Sequence, residues 1–325
     1  MAGIMHKTSR LMAAVLLGCL LAGCGGQLLS HREIVRAVFF TAQDAGYTVT
    51  LLTSDQQSED SAACKTFTGS GATCAAAWNA AAQTMNGQPF YGLMDLAVLP
   101  AGCSWPLAEE IAQLLQSTAR PAPEIAVFVL EPAVQMPIQD QTPTLYENLK
   151  ALEEKQQLHC GLQTLFDNAE TAAVPVSAGG EYAMLFYDPA ANTARQTQSP
   201  LAAQLAAILC GQAHRLDCTL PDDLHLAAKA AADVQVLAPG SVRVNLTLRD
   251  AELKDLTPTA RPDAELQVAF AANREFDGLI TALYGINGPD ADPLDLCFWL
   301  QNRYGSTQGA LRAELTLHWH RPGEG

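Results

Sequence analysis

Leu93-Met-Asp-Leu-Ala-Val-Leu99, Pro106 to Ser117 and Ile125-Ala-Val-Phe-Val-Leu130 decide the fold of this chain. The first and third stretches are short apolar runs of strand length. Between them Pro106 opens a helix whose Leu107, Ile111, Leu114 and Leu115 recur at helical spacing on one face. A strand, a helix and a second strand at this spacing form a parallel crossover unit, which is right-handed by default. The nucleus of the chain is therefore a sheet with helices packed on it.

Upstream, His31 to Thr41 and Tyr47 to Thr53 predict a hairpin around Gln43-Asp-Ala-Gly46, and Gln56 to Ser61 reads as a polar loop. Alanine-rich Thr73 to Asn86 predicts a helix closed by a left-handed cap at Gly87. Gly69-Ser-Gly71 and Gly179-Gly180 are too short for phosphate cradles and read as turns.

Downstream, Thr144-Leu-Tyr-Glu147 has the form of a capping box, predicting a helix from Thr144 to about Lys155 and a second one over Leu158 to Ala172. Glu181 to Tyr187 predicts a strand, Asp188 to Asn192 a turn, Pro200 to Cys210 a helix closed by Gly211, and Leu216 to Leu220 a strand. The last hundred residues offer a strand at Leu224 to Leu237, whose alanines suit a helix as well, and a cleanly alternating strand at Ser241 to Leu248. A long helix follows over Asp263 to Leu283 with apolar positions at Leu266, Phe270, Phe276 and Ile280, then a helix over Pro293 to Tyr304 and a final strand over Leu311 to His320. No fixed-period repeat is present. Strand runs with helices gathered between them give an α+β fold of three consecutive sheet-plus-helix domains, 24–172, 173–221 and 222–325, behind a leader at 1–23.

That leader is tripartite. His6, Lys7 and Arg10 form a basic front, Leu11 to Ala22 an apolar core, and Leu21-Ala22-Gly23 sets small residues before Cys24. The apolar run is shorter than the roughly 20 residues that cross a bilayer, so it reads as an export signal. Leu21-Ala22-Gly23-Cys24 resembles the lipobox of bacterial lipoproteins. That resemblance implies a diacylglyceryl group on the Cys24 sulfur, cleavage before Cys24, and a body held at the extracytoplasmic face of a membrane without spanning it. Cys19 is the weaker alternative, because cutting there leaves a shorter apolar core.

Cleavage would leave 302 of 325 residues, with 17 basic against 34 acidic side chains. Such a surface is repelled by phosphate backbones and anionic headgroups, which argues against nucleic acid as a partner and leaves attachment to the lipid. Seven cysteines follow Cys24. Cys64 with Cys74 and Cys210 with Cys218 are close enough in sequence to bridge, and equally suited to burial as small apolar residues.

Motifs for chemistry are sparse. The chain has no G-x-S-x-G elbow, no P-loop and no G-x-G-x-x-G after a strand. His318 and His320 share a strand face at a spacing that can ligate a metal, but with no third ligand nearby a solvated strand face is the better reading. Asp290, Asp292 and Asp295 lack the glycine turn and distal glutamate of a calcium loop, and read as acids at a helix start. Trp78, Trp105, Trp299 and Trp319 suit either a core or a partner surface. No catalytic, metal or cofactor-binding residue is assigned.

The order of features carries a resemblance to a known family. A lipobox cysteine is followed within ten residues by Arg32-Glu33-Ile34 and a hairpin. Tyr91 to Glu131 follows, with its Ala108-Glu-Glu-Ile111 helix, then Tyr182 to Gly211 ending in Leu209-Cys210-Gly211. Asp292-Pro-Leu-Asp-Leu-Cys-Phe-Trp-Leu300, a Tyr304-Gly305 break and a strand into Arg321-Pro-Gly323 complete the series. In this order they resemble the Ger(x)C family of spore germination lipoproteins, the C subunits of germinant receptors, although Gly25-Gly26 stands where that family has Trp-Asp. The resemblance implies three α+β domains, attachment to the spore inner membrane, and assembly with a transporter-like integral-membrane subunit and a further multi-span subunit. It implies no catalysis, and Cys24 is the one site residue it carries over. The competing expectation is a solute-binding lipoprotein that feeds a membrane transporter.

Overall fold

A computed structural model describes residues 32–54, 64–132, 141–167, 172–189, 192–220, 223–255, 263–285, 292–305 and 311–320. The fold is α+β. Among the described residues the strands form two sheets. The first has the order β3-β2-β1-β5-β6-β7-β8-β9, with β4 also paired to β1. Its strands are β1 (Arg32–Gln43), β2 (Gly46–Ser54), β3 (Cys64–Gly71), β4 (Gln88–Phe90), β5 (Leu96–Leu99), β6 (Ala126–Leu130), β7 (Ala172–Ser177), β8 (Tyr182–Asp188) and β9 (Thr193–Gln196). β1, β5, β6 and β7 run parallel, and antiparallel hairpins flank them on both sides.

The expected crossover is present: β5 and β6 pair in parallel, with Leu96 opposite Ala126, joined through α2 (Trp105–Leu114). That helix widens into a π turn over Leu115–Ala119, where the Arg120 amide bonds the Leu115 carbonyl, and ends on Arg120 in the left-handed region. On the same face lies α1 (Cys74–Gln83), started by Thr73, whose hydroxyl accepts the Ala76 amide at 3.1 Å. α1 does not reach Gly87. It stops at Thr84, in right-handed conformation, whose hydroxyl donates to the Ala81 carbonyl and ends the helix early.

Gly69 and Gly71 are not a turn. They lie in β3, directly under α1, where a Cβ on Gly69 would fall 2.1 Å from the Ala81 nitrogen. Their absence of side chain permits a helix–strand approach, a tertiary reason for glycine that local sequence does not carry.

The opposite face of the first sheet packs on α3 (Thr142–Gln156) and α5 (Pro200–Leu209). α3 begins two residues ahead of the expected capping box. Gln141 is its N-cap, Pro143 occupies the first turn, and Thr144 is already helical. Of the helix expected over Leu158 to Ala172, the described residues carry α4 (Thr164–Asp167); Cys160 and Gly161 turn aside to bond β6, and Ala172 already belongs to β7.

The second sheet has the order β10-β11-β12-β13, with β10 (Arg215–Leu220), β11 (Leu224–Ala238), β12 (Ser241–Asp255) and β13 (Arg312–His320). β12 and β13 are parallel, and the long α6 (Ala264–Tyr284) and α7 (Leu296–Tyr304) form the connection between them. The two strands expected within 173–221 divide between the sheets: Glu181 to Tyr187 is β8 of the first and Leu216 to Leu220 is β10 of the second, while the sequence did not predict β7 and β9. Pro175 reads as a break in the sequence. It sits inside β7, where pairing to β6 begins only at the next residue, so its missing N–H is tolerated.

One apolar core lies between α1, α2 and the first sheet, centred on Trp78, Phe40 and Ile111. The other runs continuously from the opposite face of that sheet, through α3 and α5, into the second sheet and α6. α5 is thus the shared layer. Ser199 fixes both its ends of contact: its hydroxyl accepts the Ala202 amide at 3.1 Å as N-cap and donates to Glu275 of α6 at 2.6 Å. Burial opposes charge on Glu275, but the Ser199 hydroxyl and the adjacent Arg274 outweigh it and hold the carboxyl below its ordinary value. The stability it contributes is therefore present at neutral pH and is lost as pH falls through the lowered value. We expect Ser199→Ala to cost about 0.5–2 kcal/mol, the usual range for an N-cap, and to move the Glu275 titration upward. Urea unfolding at neutral pH and carboxyl-resolved NMR titration check both.

Candidate interaction site

The helix expected over Asp263 to Leu283 is α6, and its apolar positions named from the sequence are Leu266, Phe270, Phe276 and Ile280. The structure splits that set. Phe276 is fully buried, in line with Val268, Ala272, Leu279 and Leu283, whereas Leu266 and Phe270 are 70% and 71% exposed. The two lie one turn apart, so they form a single apolar ridge rotated away from the buried line. The reason is that α5 and β13 claim only one side of the helix, so a stripe broader than the contact leaves its edge in solvent.

Leu220 and Leu224, at the β10–β11 junction, form the floor beside this ridge. With Gln267, Ala271 and Arg274 they enclose an open cleft of about 410 Å³. Arg274 sits at its rim and is oriented by Glu275, whose Oε1 accepts from its guanidinium at 2.8 Å. The arrangement suits an apolar side chain set against a polar border, as at the centre of a protein interface. A second exposed aromatic group stands on α7, where Phe298 and Trp299 meet edge to face and Tyr304 lies beyond them. Of the tryptophans, Trp78 is buried and donates from Nε1 to the Tyr91 hydroxyl, while Trp299 is exposed.

A separate polar cleft of about 430 Å³ opens beyond the carboxyl ends of β6 and β7. It is walled by Glu131, Glu181, Gln196, Thr197 and Gln198. Crevices of this position hold ligands in open α/β sheets.

Cys24 lies outside the described residues, as does Asp290. Asp292 has the role expected of a helix-start acid, though from outside the helix: Oδ2 accepts the Phe298 amide in the first turn of α7 at 2.7 Å, and Oδ1 accepts the buried Tyr284 hydroxyl at 2.7 Å. His318 and His320 are exposed on the outer face of β13, and His318 Nε2 lies 3.2 Å from the Asn245 side-chain oxygen. Among the described residues no group of three metal-ligating side chains converges. Gly179 and Gly180 form the β7–β8 turn as expected, with the Ser177 hydroxyl accepting the Gly179 amide.

The seven cysteines after Cys24 are all free thiols. Burial pushes those of Cys74, Cys103, Cys160, Cys218 and Cys297 up to about 12, so they stay protonated and unreactive. The α6 ridge was missed as a site because its residues continue an ordinary helical stripe. Only the partner elements reveal which part of the stripe is left uncovered.

Fold and surface together define a two-sheet α+β body with an apolar ridge and cleft on one helix. No protein-family model and no curated protein matches the chain. Among solved structures it is similar to the GerBC protein, with 8% sequence identity and a TM-score of 0.43 over 87% of this chain and 97% of that one.

Proposed function

We propose that this chain is a lipid-anchored, non-enzymatic subunit of a spore germinant receptor, joined to the membrane through acylated Cys24 and acting by assembly with integral-membrane receptor subunits. The observation that carries the reading is the tripartite leader ending in Leu21-Ala22-Gly23-Cys24, followed by the ordered features shared with Ger(x)C lipoproteins. Among the described residues no helix is long and apolar enough to cross a membrane, which is compatible with attachment by acyl chains. Two such chains anchor stably, at about 0.8 kcal/mol per buried methylene. On this reading the Leu266–Phe270 ridge is the surface offered to the membrane subunits.

Mass spectrometry of the membrane-extracted protein, together with germination assays of Cys24→Ala, tests the anchor. The expected result is a diacylglyceryl-modified Cys24 as first residue and loss of germination in the variant. An unacylated terminus overturns the reading. For the ridge, Phe270→Ser is expected to leave stability within about 0.5 kcal/mol, as for an exposed position, while reducing co-purification of multi-span subunits severalfold. Unchanged co-purification removes the ridge from the interface.

The second reading, a solute-binding lipoprotein of a transporter, is favoured by the polar cleft beyond β6 and β7. It predicts a rise in melting temperature with sugars or amino acids, which ligand linkage produces only if the folded body binds them.

A further inference from the structure

We infer that the end of the first sheet from which β1, β5 and β6 start is the face that the anchored body lays on the bilayer, with Leu93 as its apolar contact and Arg32 beside it. The inference rests on the lipid-anchored reading above and adds an orientation to it.

Tether length is the first ground. Seven residues separate Cys24 from Arg32, the first residue of β1. Fully extended, that segment spans at most about 28 Å. A compact body of this size is about 50 Å across. The tether is thus too short to let the far side of the body meet the membrane, and the end bearing Arg32 stays near it.

The composition of that end is the second ground. β4 runs beside the first residues of β1, placing Ile34 opposite Phe90, and the Arg32 guanidinium lies over the Phe90 ring at 5.4 Å. Between β4 and β5 the chain makes an excursion through Tyr91 to Asp95. Its base is pinned, since the Met94 amide donates to the Tyr91 carbonyl at 3.0 Å and the Asp95 amide to the Arg36 carbonyl at 2.9 Å. Met94 is buried, and Leu93 at the tip is 54% exposed. A large apolar side chain is therefore held outward on a fixed turn three residues beyond Phe90, the ring that carries the Arg32 guanidinium, and an apolar group near an arginine settles at headgroup depth.

Charge is the third. The mature chain carries twice as many acids as bases, yet Arg32 opens β1 at this end, the β1–β2–β3 register sets Lys65 level with Val35, and Arg36 is paired to Asp95. Bases held at the start of β1 and β3 lower the repulsion between this end and anionic lipid. It sets orientation, while the acyl chains supply the affinity.

Three single variants of the acylated full chain, Leu93→Trp, Phe270→Trp and Leu237→Trp, placed in vesicles of phosphatidylcholine and phosphatidylglycerol with brominated chains, test this. The indole added at position 93 is expected to be quenched about twofold, because tryptophan there would sit at headgroup level, and the other two are expected to match vesicles without bromine. Quenching at position 270 or 237 in place of 93, or at none of the three in protein verified as acylated, overturns the orientation and leaves the anchor standing. A chain that carries no acyl mass overturns the anchor and the orientation with it.

Discussion

Gly69→Ala is expected to destabilise the protein by about 3 kcal/mol or more, at the upper end of the range for overpacking. The new Cβ would lie 2.1 Å from the Ala81 nitrogen, 2.5 Å from the Ala80 carbonyl carbon and 2.6 Å from the Ala77 oxygen. All three are backbone atoms of α1, so no side-chain rotation relieves the clash and the helix must lift as a body. Lifting it uncovers Cys74, Ala77, Trp78 and Ala81, the residues α1 buries against the sheet. Because Gly69 is not in the left-handed region, the cost is steric rather than torsional. Gly180→Ala, where an added Cβ meets nothing within 4 Å, is the matched control. Urea midpoints at constant m-value give the comparison. Equal midpoints for the two variants would mean that α1 does not lie on β3 at this distance.

The second large effect concerns the seam between the sheets. β10 is an edge strand, and unpaired edges invite association with another chain. Here the edge is covered by side chains. Gln204, 3% exposed on α5, accepts the Asp217 amide at 2.8 Å through Oε1 and donates to the Asp217 carbonyl at 2.9 Å through Nε2, imitating a neighbouring strand. Gln156 of α3 donates to the same carbonyl at 3.2 Å. The Asp217 carboxylate is also nearly buried, with Lys155 at 3.0 Å and Arg215 at 3.3 Å. In Gln204→Leu the volume is kept, but the Asp217 amide is left buried without an acceptor, at a cost of about 2–3 kcal/mol. Hydrogen exchange of the Asp217 amide is expected to accelerate together with the fall in urea midpoint. If exchange and midpoint both stay unchanged, Gln204 is not the cover of that edge.

Gln204 and Gly69 also show where local reading ends. In the sequence Gln204 is a lone polar residue in an apolar helix, and Gly69 one of two glycines around a serine. Neither signals its partner, because Asp217 and Ala81 reach them only through packing. The same holds for the α6 stripe, where periodicity gave the helix but the width of the covering elements chose Leu266 and Phe270 for exposure. Pro175 makes the same point, because proline reports only on its own N–H, and whether a strand can spare that donor depends on where its neighbour begins.

Local composition and periodicity were enough for the β1–β2 hairpin, the β5–α2–β6 crossover, the α5 helix with its Gly211 end, and the strands of the second sheet. Those features depend on contacts within a few residues or on an alternation written in the chain itself. The proposed leader and the proposed acylation of Cys24 rest on sequence alone. Tertiary structure decided which sheet each strand joined, that β3 and α1 meet across two glycines, and that a glutamine closes the β10 edge. Those choices are made by steric fit and by the pairing of buried polar groups between segments distant in the chain, so no single segment contains them.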